Sequence, residues 1–402
     1  MSHRSLPKGT PRLPSPAAGR RHSDGALSAG RCLSAITAPP QLETLLETLS
    51  DQPAIAVDTE SNSLYAYHEQ VCLIQFSTPD ADYLVDPLAD LDLSPLGRIF
   101  ADPGVQKVFH AAEYDVMCLK RDFDFHFASL FDTMWAARIL GWSRVGLGDV
   151  LEENFGVHTN KRYQRYNWGK RPLEPEALAY ACMDTHYLLP LRRLQADALM
   201  QLGRGEEAQE VFDQIAASEA MSSSFDPQDF RRIKGASDLS SRELAVLREL
   251  YVWRDRQGRR QNRPVFRVLG NHTLIALAQA HPRTLDGLAS VSGMKPYHVR
   301  RYGRSILRAV KQGMHAHPPE TPPPPPRRPE EDVARFQALR TWRKRVAAKR
   351  GVDSDVIVSN AVLWALAEQH PRTLDGLRHI EGLGPWKRKV YGEAMLSVLR
   401  ET

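Results

Sequence analysis

The octapeptide His281-Pro282-Arg283-Thr284-Leu285-Asp286-Gly287-Leu288 recurs unchanged as His370-Pro371-Arg372-Thr373-Leu374-Asp375-Gly376-Leu377, an offset of 370 − 281 = 89 residues. Without a gap, the same offset aligns Trp253 with Trp342, Asn271 with Asn360, Gly293 with Gly382, Pro296 with Pro385, and Tyr302-Gly303 with Tyr391-Gly392. A duplication of this length confines the C-terminal half of the chain to two copies of one fold. Both copies, 236–315 and 329–402, read as helical throughout, and two copies are too few for a solenoid. Each is therefore expected to be a small all-α domain. Between them, 316–328 contains five consecutive prolines, Pro322–Pro326, which predict an extended polyproline spacer.

The preceding residues are of a different kind. Residues 1–38 are rich in Ser, Pro, Gly and Arg and contain a single acid, Asp24, so a disordered basic tail is expected. From 39 to 203 the pattern is α/β. A helix over 39–52 carries Leu42, Leu45, Leu46 and Leu49 on one face, followed by a buried strand, Ala54-Ile55-Ala56-Val57-Asp58-Thr59-Glu60. Strands over 71–77 and 82–85 complete a meander. A short strand over 107–110 and helices near 113–120, 132–140 and 147–154 follow. A polar, aromatic loop at 163–172 leads to a long helix over 176–199, interrupted or bent near Pro190. Such an order predicts a mixed sheet covered by helices, with 204–235 as a connecting segment.

Charge is segregated along the chain. Lys and Arg against Asp and Glu number 13 against 24 in 39–203 (13 − 24 = −11), 15 against 5 in 236–315 (15 − 5 = +10), and 13 against 10 in 329–402 (13 − 10 = +3). An acidic unit joined to a basic one fits a metal-dependent catalytic domain with a polyanion-binding appendage. No apolar run reaches the length of a membrane span, so no membrane partner is expected. Four scattered cysteines lack metal-site spacing and fit ordinary buried thiols in a reducing compartment, the cytoplasm.

Side chains alternate along a strand, so Asp58 and Glu60 share a face, and adjacent like charges call for a cation. Read alone, the pair fits a solvated strand end as well. Two further acids follow: Asp115, at a strand-to-helix junction, and Asp184, on the long helix one turn after Tyr180. Asp115 also suits an early helical turn, and Tyr180 a core aromatic.

Taken together, strand Asp-x-Glu, a later Asp and helical Tyr-x-x-x-Asp resemble the three motifs of the DEDD exonucleases with tyrosine in the third. Residues 39–200 are similar to the ribonuclease D family in Val108-Phe109-His110-Ala111, Phe131-Asp132-Thr133, and Arg165-Tyr166-Asn167-Trp168-Gly169-Lys170-Arg171-Pro172-Leu173. Asn167 departs from it, where many relatives carry an acid. The helical copies resemble the helicase-and-ribonuclease-D C-terminal (HRDC) module. The resemblance implies a ribonuclease-H-like α/β exonuclease domain followed by two HRDC domains. It implies a metal-dependent 3′→5′ exoribonuclease that releases 5′-mononucleotides from RNAs with free 3′ ends, tRNA precursors above all. Asp58, Glu60, Asp115 and Asp184 would hold two Mg²⁺ or Mn²⁺ ions, and Tyr180 would orient the attacking water. DNA is a second possible substrate, and a non-catalytic RNA-binding adaptor is the reading of another class.

Contacts to the terminal nucleotides are expected from His110, Gln164, Arg165, Trp168 and Arg171, by cation, amide or stacking, unless the loop simply packs against the site. In the first copy, Arg254, Arg256, Arg259, Arg260, Lys295, Arg300, Arg301 and Arg304 are the expected phosphate contacts. The turns at Gly293-Met294-Lys295-Pro296 and Gly382-Leu383-Gly384-Pro385 would present helix N-termini to the backbone. A protein-docking role is the alternative for these modules, above all for the less charged second copy.

Overall fold

The apolar run that ends at Asp58 takes the centre of a five-stranded sheet, because Ile55, Ala56 and Val57 are buried on both of its faces. The structure is a computed structural model that describes residues 35–159, 161–221, 224–320 and 327–402. The first domain consists of α1 (Pro39–Ser50), β1 (Ala54–Ser61), β2 (Val71–Ser77), β3 (Asp82–Val85), α2 (Leu96–Ala101), β4 (Gln106–Phe109), α3 (Glu113–Phe123), β5 (Leu130–Asp132), α4 (Thr133–Leu140), α5 (Leu147–Phe155), α6 (Pro175–His186), α7 (Leu188–Gln201) and α8 (Gly205–Ala216). The sheet order is β3-β2-β1-β4-β5. The β1–β2 and β2–β3 pairs are antiparallel, and β1–β4 and β4–β5 are parallel. It is the mixed sheet expected, with the meander on one side and the helical crossovers on the other.

The domain limits differ from those expected. Ile36, placed in the tail by composition, is buried, bridges to Val85 and donates its amide to Leu84 O at 2.7 Å. The remainder of the expected tail, 1–34, and the proline run of the spacer lie outside the described residues. The segment 204–235 is not a separate connector. Ala208, Val211, Phe212 and Ile215 of α8 join the sheet's core, with Phe212 against Phe131. Phe230 and Ile233 join the core of the first helical copy. The long helix divides at Tyr187 into α6 and α7, which leaves Pro190 in the first turn of α7, where its missing N–H costs little. Cys72 and Cys118 are buried free thiols, whereas Cys182 is disulfide-bonded rather than an ordinary thiol.

The helical copies contain α9 (Ser241–Gln261), α10 (Val265–Val268), α11 (Asn271–Ala280), α12 (Leu285–Ala289) and α13 (Pro296–His315), then α14 (Glu330–Arg350), α15 (Ser354–Ile357), α16 (Asn360–Gln369) and α17 (Pro385–Arg400). Equivalent residues do equivalent work. Arg254 donates to Leu269 O at 3.0 Å and Asn271 Oδ1 at 2.8 Å, and Arg343 donates to Val358 O and Asn360 Oδ1, both at 2.8 Å. A side chain at Gly303 or Gly392 would meet Leu285 or Leu374 at 2.7 Å, which is why glycine recurs there.

The copies dock on the first domain by different surfaces. The first clasps the β1–β2 loop: Asn262 Oδ1 accepts from the amides of Tyr67 and His68 at 3.0 and 3.1 Å, and the Tyr67 hydroxyl donates to Asp255. The second covers α8: Arg350 forms a two-pronged ion pair with Glu207 at 2.7 and 2.5 Å, and Arg138 reaches Asp355 at 2.6 Å. No helix among the described residues is long and apolar enough to cross a membrane.

Candidate active site

Three elements bring the acids together. Asp58 and Glu60 project from β1 toward α6, which packs over β1, β2 and β3. On α6, the i, i+4 spacing of Tyr180 and Asp184 puts both on the face turned to the sheet. Asp58, Glu60 and Asp184 each offer a carboxylate oxygen, all within 4.8 Å of one another. Asp115 stands beside this triad, in the first turn of α3, and accepts a hydrogen bond from the Thr59 hydroxyl.

Electrostatics mark the cluster as incomplete without positive charge. Burial, then the charges of Asp115, Asp184 and Glu60, push the Asp58 carboxyl well above the usual carboxylate range. Burial and the neighbouring acids do the same to Glu60. Asp115 and Asp184 are each pushed up to about 7, mainly by burial. Four acids raised together by desolvation and mutual repulsion are what a divalent cation would relieve. The donors are all oxygens, which suits hard cations. The residue set therefore fits the divalent ions that DEDD-type exonucleases use.

Tyr180 rests on an aromatic cluster, with ring centroids 5.6 Å from Tyr163 and 6.3 Å from Trp168. Its hydroxyl bonds to Asp184, and burial and the acids raise its pKa, so it is a neutral phenol. Tyr180→Phe keeps the ring packing and removes only this hydroxyl. It is expected to lower kcat by about ten-fold or more with little change in nucleic-acid affinity. Single-turnover cleavage alongside equilibrium binding checks this; weaker binding at unchanged kcat would make Tyr180 a packing residue.

The residues expected to touch the terminal nucleotides separate into two groups. Gln164 and Arg165 are exposed on a 3₁₀ turn, Lys161–Arg165, and remain accessible. Trp168 does not: it is 1% exposed, packed among Cys72, Leu73, Leu84 and Tyr163, and cannot stack on a base. Arg171, expected at the substrate, is also occupied within the protein. Its guanidinium makes two bonds of 2.6 Å to Asp86 and others to the carbonyls of Trp168, Lys170 and Cys72, so it ties the loop to the sheet. Burial lowers the His110 pKa to about 4, and its Nδ1 lies 2.9 Å from Thr133 Oγ1, so at neutral pH it carries no charge for a phosphate.

In the first copy, Arg256, Arg260, Lys295, Arg300, Arg301 and Arg304 are exposed. Arg254 is 4% exposed and spends its donors inside the module, so it is not a phosphate contact. Arg259 pairs with Asp255 at 3.5 Å and lies over Tyr67, within the domain interface. The Gly382–Pro385 turn is likewise taken. Glu210 of α8 accepts from the Trp386 amide at 2.5 Å and caps α17, so the anion at that helix N-terminus is the protein's own carboxylate.

Asp132 has a role that the sequence reading did not assign. Fully buried, it accepts from the amides of Met134 and Trp135, capping α4, and from Ala111 and Ala112. It thereby holds the left-handed Ala111 (φ 63°) at the turn that delivers Asp115. The signal present in the sequence was Asp132-Thr133 opening a helix.

The sequence matches the family described as 3′-5′ exonuclease over residues 33–196, and the HRDC domain over 243–310 and 332–399. It is 33% identical over 286 residues to ribonuclease D of Gluconacetobacter diazotrophicus, covering 68% of this chain and 70% of that protein. It is 31% identical over 289 residues to the exosome complex exonuclease RRP6 of Saccharomyces cerevisiae, of which it spans only 39% of the length. The crystal structure of Escherichia coli RNase D, described as an exoribonuclease involved in structured RNA processing, superposes with a TM-score of 0.63 at 26% identity, covering 92% of this chain and 98% of that one.

Proposed function

The chain belongs to the ribonuclease D family of 3′→5′ exoribonucleases, and from that premise we propose that it removes nucleotides one at a time from the 3′ ends of structured RNAs, tRNA precursors among them. The observation that carries the reading is the triad Asp58, Glu60 and Asp184 gathered under Tyr180. Asp58, Glu60 and Asp184 would hold divalent metal, Mg²⁺ or Mn²⁺, with Asp115 contributing from α3. The ions, when bound, supply Lewis acidity toward water and the phosphate. Tyr180, as a neutral phenol, orients the attacking water by hydrogen bonding. Gln164 and Arg165, exposed on the 3₁₀ turn, face the incoming strand, and the Tyr65 hydroxyl donates to the Arg165 carbonyl and steadies that turn.

The acidic domain alone repels a polyanion at long range, so the exposed arginines of the first copy draw the substrate in. Its α13 N-terminus, at the exposed Lys295, is capped by a residue of its own helix, His298 Nδ1 accepting from the Lys295 amide at 3.3 Å. It is read as the site for backbone phosphate, unlike that of α17, which an acid from α8 occupies. The second copy is read as an intramolecular docking module. The test uses 5′-labelled RNA and DNA of one sequence, with Mg²⁺, Mn²⁺ or chelator. Metal-dependent shortening from the 3′ end, faster on RNA, is expected, together with binding that weakens steeply with salt. Faster loss of DNA would make the chain a DNA exonuclease, and binding without shortening in either metal would make it an adaptor.

A further inference from the structure

The first domain holds a polar side chain that neither the fold nor the mechanism above uses. Gln75, in the middle of β2, is 0% exposed, and neither its Nε2 nor its Oε1 has a hydrogen-bonding partner among the described residues. Buried amides in this condition are uncommon and costly, so such a residue calls for a function. Its neighbours on the same sheet face are all accounted for. Two residues along β2, Ser77 bonds to Asp82 and Thr185 at 2.7 Å each. Two residues the other way, Leu73 packs with Trp168 and Tyr180. Across β3, Gln75 is in register with Leu84, an apolar side chain. Across β1 it is in register with Asp58. Directly opposed residues of an antiparallel pair project to the same side with Cβ atoms about 4.5–5.5 Å apart. Of the two cross-strand neighbours, the only one with a polar side chain is thus the central carboxylate of the cluster.

We propose that Gln75 is a positioning residue for the metal centre. Its Nε2 donates to the Asp58 carboxylate when Asp58 turns to ligate, fixing which oxygens face the ions, and its Oε1 accepts from water held at the centre. Carboxylate ligands are commonly oriented by such outer hydrogen bonds, whose removal weakens metal binding without touching a ligand. A glutamine suits the place because it supplies a donor without adding a further negative charge to four crowded acids. The inference rests on the proposed metal site, and its test separates the two.

Gln75→Met and Gln75→Leu keep the apolar volume and remove both amide atoms. In chelator, each variant is expected to melt at or above the wild-type temperature, since an unpartnered buried amide is gone. Calorimetric titration with Mn²⁺ should show affinity lower by about 10- to 100-fold. In cleavage, kcat should fall while KM for a short RNA stays near wild type. Wild-type Mn²⁺ affinity in both variants, with Asp58→Asn losing it, would overturn the role of Gln75 and leave the metal site standing. Wild-type affinity in Asp58→Asn as well would overturn the metal site itself. A lowered melting temperature with undiminished Mn²⁺ affinity in the folded fraction would make Gln75 a structural residue and also overturn the proposal.

Discussion

Asp58→Asn is expected to abolish cleavage and, in the same preparation, to raise the melting temperature of the metal-free protein at pH 8. Both effects have one cause. The folded cluster holds four acids whose pKa values lie above their unfolded ones, with Asp115 and Asp184 at about 7. A carboxyl raised on folding binds protons more tightly in the native state, so its contribution to stability is present below the unfolded pKa, near 4, and is lost as pH rises through the folded value. Without metal, the wild type should therefore lose stability between about pH 5 and pH 8 from this source. Asn is nearly isosteric and uncharged; it removes Asp58's own charge and its repulsion of the neighbouring acids. The gain in melting temperature should be clear at pH 8 in chelator and shrink toward pH 5. Mn²⁺ should stabilise the wild type at pH 8 and the variant hardly at all. Near wild-type turnover by Asp58→Asn, freed of host nucleases, would remove Asp58 from the chemistry. An unchanged or lower melting temperature at pH 8 would remove the repulsion argument.

Arg350→Ala is expected to release the second helical copy from the nuclease domain. Glu207 is 0% exposed, and the Arg350 guanidinium holds both of its oxygens while also donating to the Tyr391 hydroxyl at 2.5 Å. Removing one partner of a buried ion pair leaves an uncompensated charge, typically at a cost of about 3–5 kcal/mol. The carboxylate can escape that cost by taking up a proton or by reaching water, and at pH 8, where protonation is least favoured, the second route requires α17 to lift from α8. Amide exchange should accelerate in both helices, and a short RNA should still be cleaved, because Asp58, Glu60 and Asp184 lie elsewhere. The double variant Glu207→Leu with Arg350→Met replaces the pair by apolar packing and should restore protection. Wild-type exchange in Arg350→Ala would show that the docking depends on other contacts, such as Glu210 capping α17.

Local pattern determined much of this protein. The 89-residue offset forced two equivalent helical domains, and the structure repeats even the Arg254–Asn271 bond as Arg343–Asn360. Strand alternation placed Asp58 beside Glu60, and helical periodicity placed Tyr180 beside Asp184, because both spacings depend only on backbone geometry. Which polar residues were already occupied depended on partners distant in the chain. Trp168, Arg171 and Arg254 looked like ligand-binding residues by type, but a folded neighbour fills or covers each of them. The two copies, near-identical in motif, acquired different roles because Glu210, 176 residues before Trp386 by number yet adjacent in space, reaches one helix N-terminus, and among the described residues no acid is seen to bond the other.

 The 175 residues between them, a sequence separation of 176, are beyond the reach of any local periodicity. The packing of α17 on α8 is what brings that carboxylate to the Trp386 amide.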